Sequence, residues 1–181
     1  MDDKRFYTLR LAGLTRQLPI CPVNEKLDIA AFVMFSDVEI TMAAAKLLIE
    51  KCPEHDVIVT AESKGIPLAY EMARTLGIKY FVARKSVKCY MADPISVSVK
   101  SITTKETQTL YLCAADLLYM KGKRILIVDD VISAGGSLRA LEALVKKAEG
   151  NIVGRAAVLA EGDAANSENI IYLEKLPLFY K

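Results

Sequence analysis

The stretch Arg124-Ile125-Leu126-Ile127-Val128-Asp129-Asp130-Val131-Ile132-Ser133-Ala134-Gly135-Gly136-Ser137 sets the fold. Arg124 to Asp130 is a continuous apolar run ending in paired acids, the pattern of a strand buried on both faces. Beyond the small-residue turn, Leu138, Leu141, Leu144, Val145 and Ala148 recur on one face of a helix. A buried strand joined to a helix by a short turn is part of a βαβ unit, and the same alternation extends in both directions.

Upstream, Ser36 followed by Glu39 has the form of a capping box, and good helix formers run from Ile40 to Lys51 until Pro53 stops them. Asp56 to Ala61 is a β-branched strand. It is followed by a Lys64-Gly65 turn, a helix from about Pro67 to Leu76 closed by Gly77, and a strand from Ile78 to Arg84. Periodicity is lost from Lys85 to about Ile95. Ile95–Ile102 and Thr107–Cys113 then alternate as two strands around the polar tip Thr103–Glu106, so residues of about 86–109 are expected to be flexible. Downstream, Asn151–Glu161 and Asn169–Lys175 supply further strands. The expected class is α/β, a central and mostly parallel sheet flanked by helices on both faces.

A length of 181 residues suits one domain with a good-sized core. With 52% hydrophobic and 25% charged residues the chain is not a disordered one. Lys and Arg number 24 against 22 Asp and Glu, and a net charge of +2 gives no bulk attraction to nucleic acid or an acidic membrane. The apolar stretch Ile29–Phe35 is far short of the roughly 20 residues that span a bilayer. The start MDDKRFY is charged where a signal peptide is apolar, so a cytoplasmic protein without membrane contact is expected. Cys21, Cys52, Cys89 and Cys113 form no CxxC pair, and His55 is the single histidine, which argues against a zinc site and against Ser-His-Asp or Cys-His catalysis.

In open α/β sheets ligands collect beyond the carboxyl ends of the strands. Gly135 and Gly136 let backbone approach a ligand closely, successive amides and the helix start favour an anion, and the Ser133 and Ser137 hydroxyls add donors. Asp129 and Asp130 repel phosphate oxygens; neighbouring carboxylates suit vicinal hydroxyls or a positive charge that develops during reaction. No GxxxxGK[ST] or GxGxxG motif is present to suggest another nucleotide fold.

VDDVISAGGS resembles the phosphoribosyl pyrophosphate (PRPP) signature of the type I phosphoribosyltransferases, and the likeness extends over roughly residues 27 to 160. The resemblance implies that Ser133, Ala134, Gly135, Gly136 and Ser137 hold the 5-phosphate of PRPP and that Asp129 and Asp130 hold the ribose hydroxyls. Glu62-Ser63-Lys64-Gly65 is similar to the pyrophosphate loop, with Lys64 as its cation. Arg84-Lys85 matches the pair that purine enzymes place beside pyrophosphate, which puts Arg84 with Asp129 and Asp130 among the catalytic candidates. By the same resemblance the chain is one phosphoribosyltransferase domain, with a small hood of about residues 1–37, a PRPP-binding core over 38–160 and a flexible loop over 86–109. From that loop Tyr90, Lys100, Lys105 and Glu106 are the candidates to reach inward.

The base is expected under the hood, where Phe32 or Phe35 could stack on a purine. FSDV is similar to the Phe-Arg-Asp-Ile hood segment of adenine phosphoribosyltransferases, with Ser36 replacing the Arg. Xanthine, hypoxanthine and guanine enzymes carry a lysine after the strand that corresponds to AAVLAE. Glu161-Gly162-Asp163 supplies none, which leans to adenine, while the loop is closer in character to xanthine enzymes. The resemblance also implies Mg²⁺ held through PRPP oxygens and water with no direct protein ligand, and a homodimer. VTAESKGIPLAYEMA resembles purine-operon repressors as well, so a non-catalytic PRPP-binding regulator stands as the alternative, although the sequence shows no clear helix-turn-helix.

Overall fold

The computed structural model describes residues 5–100 and 107–181. In chain order the described elements begin with β1 (Phe6–Leu11), β2 (Leu14–Asn24), β3 (Leu27–Ala30), α1 (Val38–Lys51), β4 (Val57–Ala61), α2 (Ile66–Leu76) and β5 (Lys79–Ala83). Then come β6 (Pro94–Lys100), β7 (Thr107–Cys113), α3 (Ala114–Met120), β8 (Arg124–Ile132), α4 (Gly136–Lys147), β9 (Asn151–Glu161), a short 3₁₀ helix (Gly162–Asn166), β10 (Ile171–Leu176) and β11 (Leu178–Tyr180).

The centre is a five-stranded sheet in the order β10-β9-β8-β4-β5, parallel throughout. Side chains alternate across it. Ile58, Leu126 and Val128 face a core built with α1, α2 and the small N-terminal sheet, whereas Val57, Val59, Ile125 and Ile127 face α3, α4 and the β6–β7 hairpin. Both faces are covered, which is why β4 and β8 read as unbroken apolar runs. Each fully buried aliphatic side chain contributes about 1.5–3 kcal/mol, so Leu141 and Leu144, both 0% exposed, fix α4 and with it the turn that precedes it.

The structure modifies several sequence expectations. β8 continues past the acids to Ile132, because Val131 and Ile132 still pair with Leu159 and Ala160 of β9. The cap of α1 is Asp37, not Ser36: Asp37 Oδ1 accepts the Ile40 amide at 3.2 Å, and Ser36 sits at φ 67°. Glu39 turns away from any capping box toward Arg16, whose guanidinium lies 2.6 Å from Asp37 and 2.7 Å from Glu39. That clasp ties β2 to the start of α1. The helix α3 was not apparent from the sequence; nor were the strands of the N-terminal sheet, an antiparallel unit ordered β1-β2-β3-β11 whose last strand comes from the C-terminus. The polar tip Thr103–Glu106, with Lys105 and Glu106, lies outside the described residues.

Candidate functional site

Two turns at the carboxyl ends of β4 and β8, with the end of β5, bring the candidate residues together. After β8 the chain turns through Ser133 and Ala134, and Gly135 at φ 74° caps the start of α4, a left-handed conformation that a side chain would strain. Arg139 Nη1 donates to the Ala134 carbonyl at 3.1 Å and braces the turn. The turn, Asp129 and Gln108 line a cavity of about 160 Å³ at the positive end of the helix. All five residues 133–137 border that cavity.

Asp130 is 3% exposed, and its Oδ2 lies 2.8 Å from Lys64 Nζ. Lys64 thus reaches across from the β4 turn, and it also donates to the Phe32 carbonyl at 3.4 Å. Gly65, in the same turn, sits so close to β8 that a Cβ there would lie 2.8 Å from Asp129 Oδ1. Asp129 Oδ1 in turn accepts the Asp130 amide at 2.9 Å. Burial, and then the neighbouring Asp130 charge, push Asp129 up from 3.8 to about 8.

The Asp129 shift has a consequence for stability. Unfolded, the group ionises near pH 3.9; folded, burial and the neighbouring Asp130 charge hold its proton to higher pH. Above about pH 3.9 the native state then binds more protons than the unfolded chain, so stability falls as pH rises until the folded group ionises too. Asp129→Asn removes this penalty. The variant is expected to be more stable than the parent at pH 8 by at least about 1 kcal/mol, roughly 2–4 °C in Tm, with the gap closing toward pH 4. Thermal melts at pH 4, 6 and 8 measure it, and parallel curves for the two proteins would show that Asp129 ionises normally.

The β4 turn is fastened to β5. Glu62 accepts the Lys85 amide at 3.0 Å and lies 3.4 Å from Arg84 Nη2. The Lys85 amide, aided by the Arg84, Lys88 and Lys85 charges, holds the Glu62 carboxyl below its usual range. The Glu62–Ser63 peptide is cis. Arg84 and Tyr111 exchange both backbone hydrogen bonds at 2.8 Å, which seats the β6–β7 hairpin beside this turn. At the end of β9, burial raises Glu161 while Lys64 lowers it.

Other expected residues lie elsewhere. The Phe32 ring is buried at 4% exposure in the core, so its carbonyl, not its ring, meets Lys64. Phe35 is half exposed and lines a separate apolar groove with Val38, Met42 and Tyr70, between α1 and α2. Tyr90 is exposed, and Lys100 ends β6. Among the described residues no group of three or more His, Cys, Asp and Glu is placed to hold a metal, and no helix is long and apolar enough to cross a membrane. The sequence did not single out Gln108. In TQTLYLC it falls on the face of Leu110 and Leu112, both buried, and a polar residue on the inward face at a strand's end is the signal that marks it.

A parallel α/β sheet with an acid pair and a small-residue turn at its carboxyl edge is the architecture of the phosphoribosyltransferases. The model of the phosphoribosyl transferase domain matches residues 36–173, and the chain belongs to that family. It is 32% identical over 126 residues to adenine phosphoribosyltransferase of Rhodococcus jostii, covering 70% of this chain and 69% of the relative. Over 108 residues it is 39% identical to hypoxanthine/guanine phosphoribosyltransferase of Methanococcus voltae, covering 60% of this chain and 54% of that one. Over 113 residues it is 31% identical to the purine biosynthesis transcriptional repressor PurR of Bacillus subtilis; the match covers 62% of this chain and only 39% of the repressor. The adenine phosphoribosyltransferase of Leishmania donovani shares the fold, with a TM-score of 0.69 at 18% identity over 94% of this chain and 76% of that structure.

Proposed function

We propose that this chain transfers the phosphoribosyl group of PRPP to a purine, with adenine as the acceptor, giving AMP and pyrophosphate. The observation that carries the reading is the acid pair Asp129 and Asp130 at the end of β8, followed directly by the turn 133–137 around its cavity. A phosphate in that turn meets amides, hydroxyls and a helix start, and the attached ribose then falls beside the acids.

In the reaction the purine nitrogen forms a bond to the anomeric carbon and gives its proton to water or to the departing pyrophosphate, while the bond from that carbon to pyrophosphate breaks and its electron pair leaves with pyrophosphate. The Asp130 carboxylate lies where positive charge grows on the ribose, and Asp129 stands beside it to hydrogen-bond the ribose hydroxyls. Negative charge on the leaving group falls toward the amides of Ser63 to Gly65 and toward Arg84 and Lys85. Mg²⁺ suits this site as a passenger on PRPP. Asp130 is already paired with Lys64 and Asp129 is pushed toward its neutral form, so neither acid is free to build a cage, and Mg²⁺ keeps its water readily. Bound that way, it supplies neutralising charge to the pyrophosphate oxygens.

Adenine is favoured by Glu161, which ends β9 where a lysine would suit an oxidised purine, and by the likeness to the Rhodococcus enzyme. A homodimer in the cytoplasm belongs to the same reading. Its support is the exposed apolar strip Phe35, Val38, Met42 and Tyr70. The likeness to the PurR repressor favours one alternative, a PRPP-responsive regulator without transfer activity.

The test is pyrophosphate release with PRPP and Mg²⁺ and each of adenine, hypoxanthine, guanine and xanthine in separate reactions. AMP formation with adenine is expected. Release with an oxopurine alone would reassign the base, and PRPP binding without release for any base would favour the regulator.

A further inference from the structure

We infer that Gln108 is a positioning residue of the phosphate turn: its side-chain amide sets the Ser137 hydroxyl to donate toward an anion held by residues 133–137. The inference rests on the turn being a phosphate site, as proposed above. Gln108 comes from β7, an element apart from the turn, and it borders the same cavity. Its Nε2 donates to Ser137 Oγ at 2.9 Å. The Ser137 hydroxyl lies 3.3 Å from Gln108 Oε1, the longer of the two contacts. A Cβ placed on Gly136 would stand 3.5 Å from the same Oε1, so the amide is seated directly against the first residue of α4.

The hydrogen-bond inventory gives the seat its meaning. A serine hydroxyl has one proton to give and lone pairs to accept with, whereas a phosphate oxygen only accepts. An N–H from Gln108 fills a lone pair of Ser137 and leaves the hydroxyl proton free to turn from Oε1 to an arriving phosphate. The strand that carries the amide is packed against α4. Leu110 and Leu112, on the same face of β7, are buried. Ser98 and Thr109 hydroxyls meet at 2.8 Å across the hairpin, and Lys147 of α4 donates to the Ser96 carbonyl at 3.3 Å. The hairpin is thus packed and hydrogen-bonded against α4 beside the pair.

The experiment is calorimetric titration of the full chain with ribose 5-phosphate. Gln108→Glu replaces the donor with an acceptor that takes the Ser137 proton and adds negative charge, and it is expected to weaken binding more than about 10-fold. Gln108→Met and Ser137→Ala are each expected to weaken it about 3–10-fold, and the double variant to bind no worse than Ser137→Ala alone. Melts of both Gln108 variants should coincide with the parent's. Losses that add in the double variant, or unchanged binding by Gln108→Glu, would overturn the positioning role. A parent that binds no ribose 5-phosphate would remove the phosphate turn and this inference with it. Good ribose 5-phosphate binding without any purine transfer would count against the enzyme reading alone.

Discussion

Asp130→Asn is expected to lower the turnover of PRPP with the accepted purine about 100-fold or more, the scale of losing one preorganised group aimed at a developing charge. Asparagine keeps the shape of the side chain and can still hydrogen-bond a ribose hydroxyl, so the Michaelis constant for PRPP should move much less than turnover. What the change removes, on the proposed reaction, is the negative charge beside the anomeric carbon. The fold should tolerate the change. Asp130 is buried, but its partner Lys64 has a side chain 45% exposed and can turn into water once the carboxylate is gone, so the penalty stays near 1 kcal/mol. The reverse change is harsher in its own way: Lys64→Met leaves the Asp130 carboxylate buried without its cation, and burial of an unpaired charge is a folding cost. Steady-state kinetics with a thermal melt on the same preparations separate the effects. Wild-type turnover in Asp130→Asn would take the carboxylate out of the reaction.

Much of this arrangement was legible because it is local. The Arg124–Asp130 run and the Leu138–Ala148 stripe state their periods openly, and the structure has β8 and α4 there. The acid pair and the turn after it are contiguous, so their meeting needs no long-range information. The N-terminal sheet was less visible. Its first hairpin turns on Ala12 and Gly13, at φ 53° and 79°, and Ala-Gly lacks the Asn-Gly or Asp-Gly signal that usually announces such a turn. Two prolines in β2, Pro19 and Pro22, blur it further. The partners of the site residues were invisible for another reason. Lys64 to Asp130, Arg16 to Asp37 and Gln108 to Ser137 join residues from different elements, and a single sequence carries no record of which charges meet. The cap of α1 shows the competition in miniature: Ser36-x-x-Glu39 has the right spacing, yet Asp37 takes the role because Arg16 holds Asp37 and Glu39 together.

Gly65→Ala is expected to destabilise the protein by about 2–3 kcal/mol, roughly 5–10 °C in Tm, and to remove most of the transfer activity with it. Backbone conformation is not the reason. Gly65 has φ −73° and ψ −11°, which any residue adopts. The reason is space: an added Cβ would lie 2.6 Å from Thr60 Oγ1, 2.8 Å from Asp129 Oδ1 and 3.1 Å from Asp129 Cα. Thr60 is 0% exposed in the middle of the sheet, and β-branching leaves its side chain few rotamers to escape into. Asp129 Oδ1 is occupied by the Asp130 amide at 2.9 Å, so moving it breaks a hydrogen bond inside the acid pair. The Asp129 Cα moves only if β8 shifts against β4, and the two are paired from Val57 to Val59. One methyl group therefore pushes apart the turn after β4 and the acids of β8, and loss of stability and loss of chemistry share a cause. Thr60→Ala in the same chain removes the closest atom, so Gly65→Ala with Thr60→Ala should recover part of the Tm lost by Gly65→Ala, a coupling that independent effects would not produce. Activity should return less, because the contact with Asp129 remains. A Gly65→Ala protein that melts and turns over like the parent would mean that β4 and β8 are not held at this distance when the site is at work.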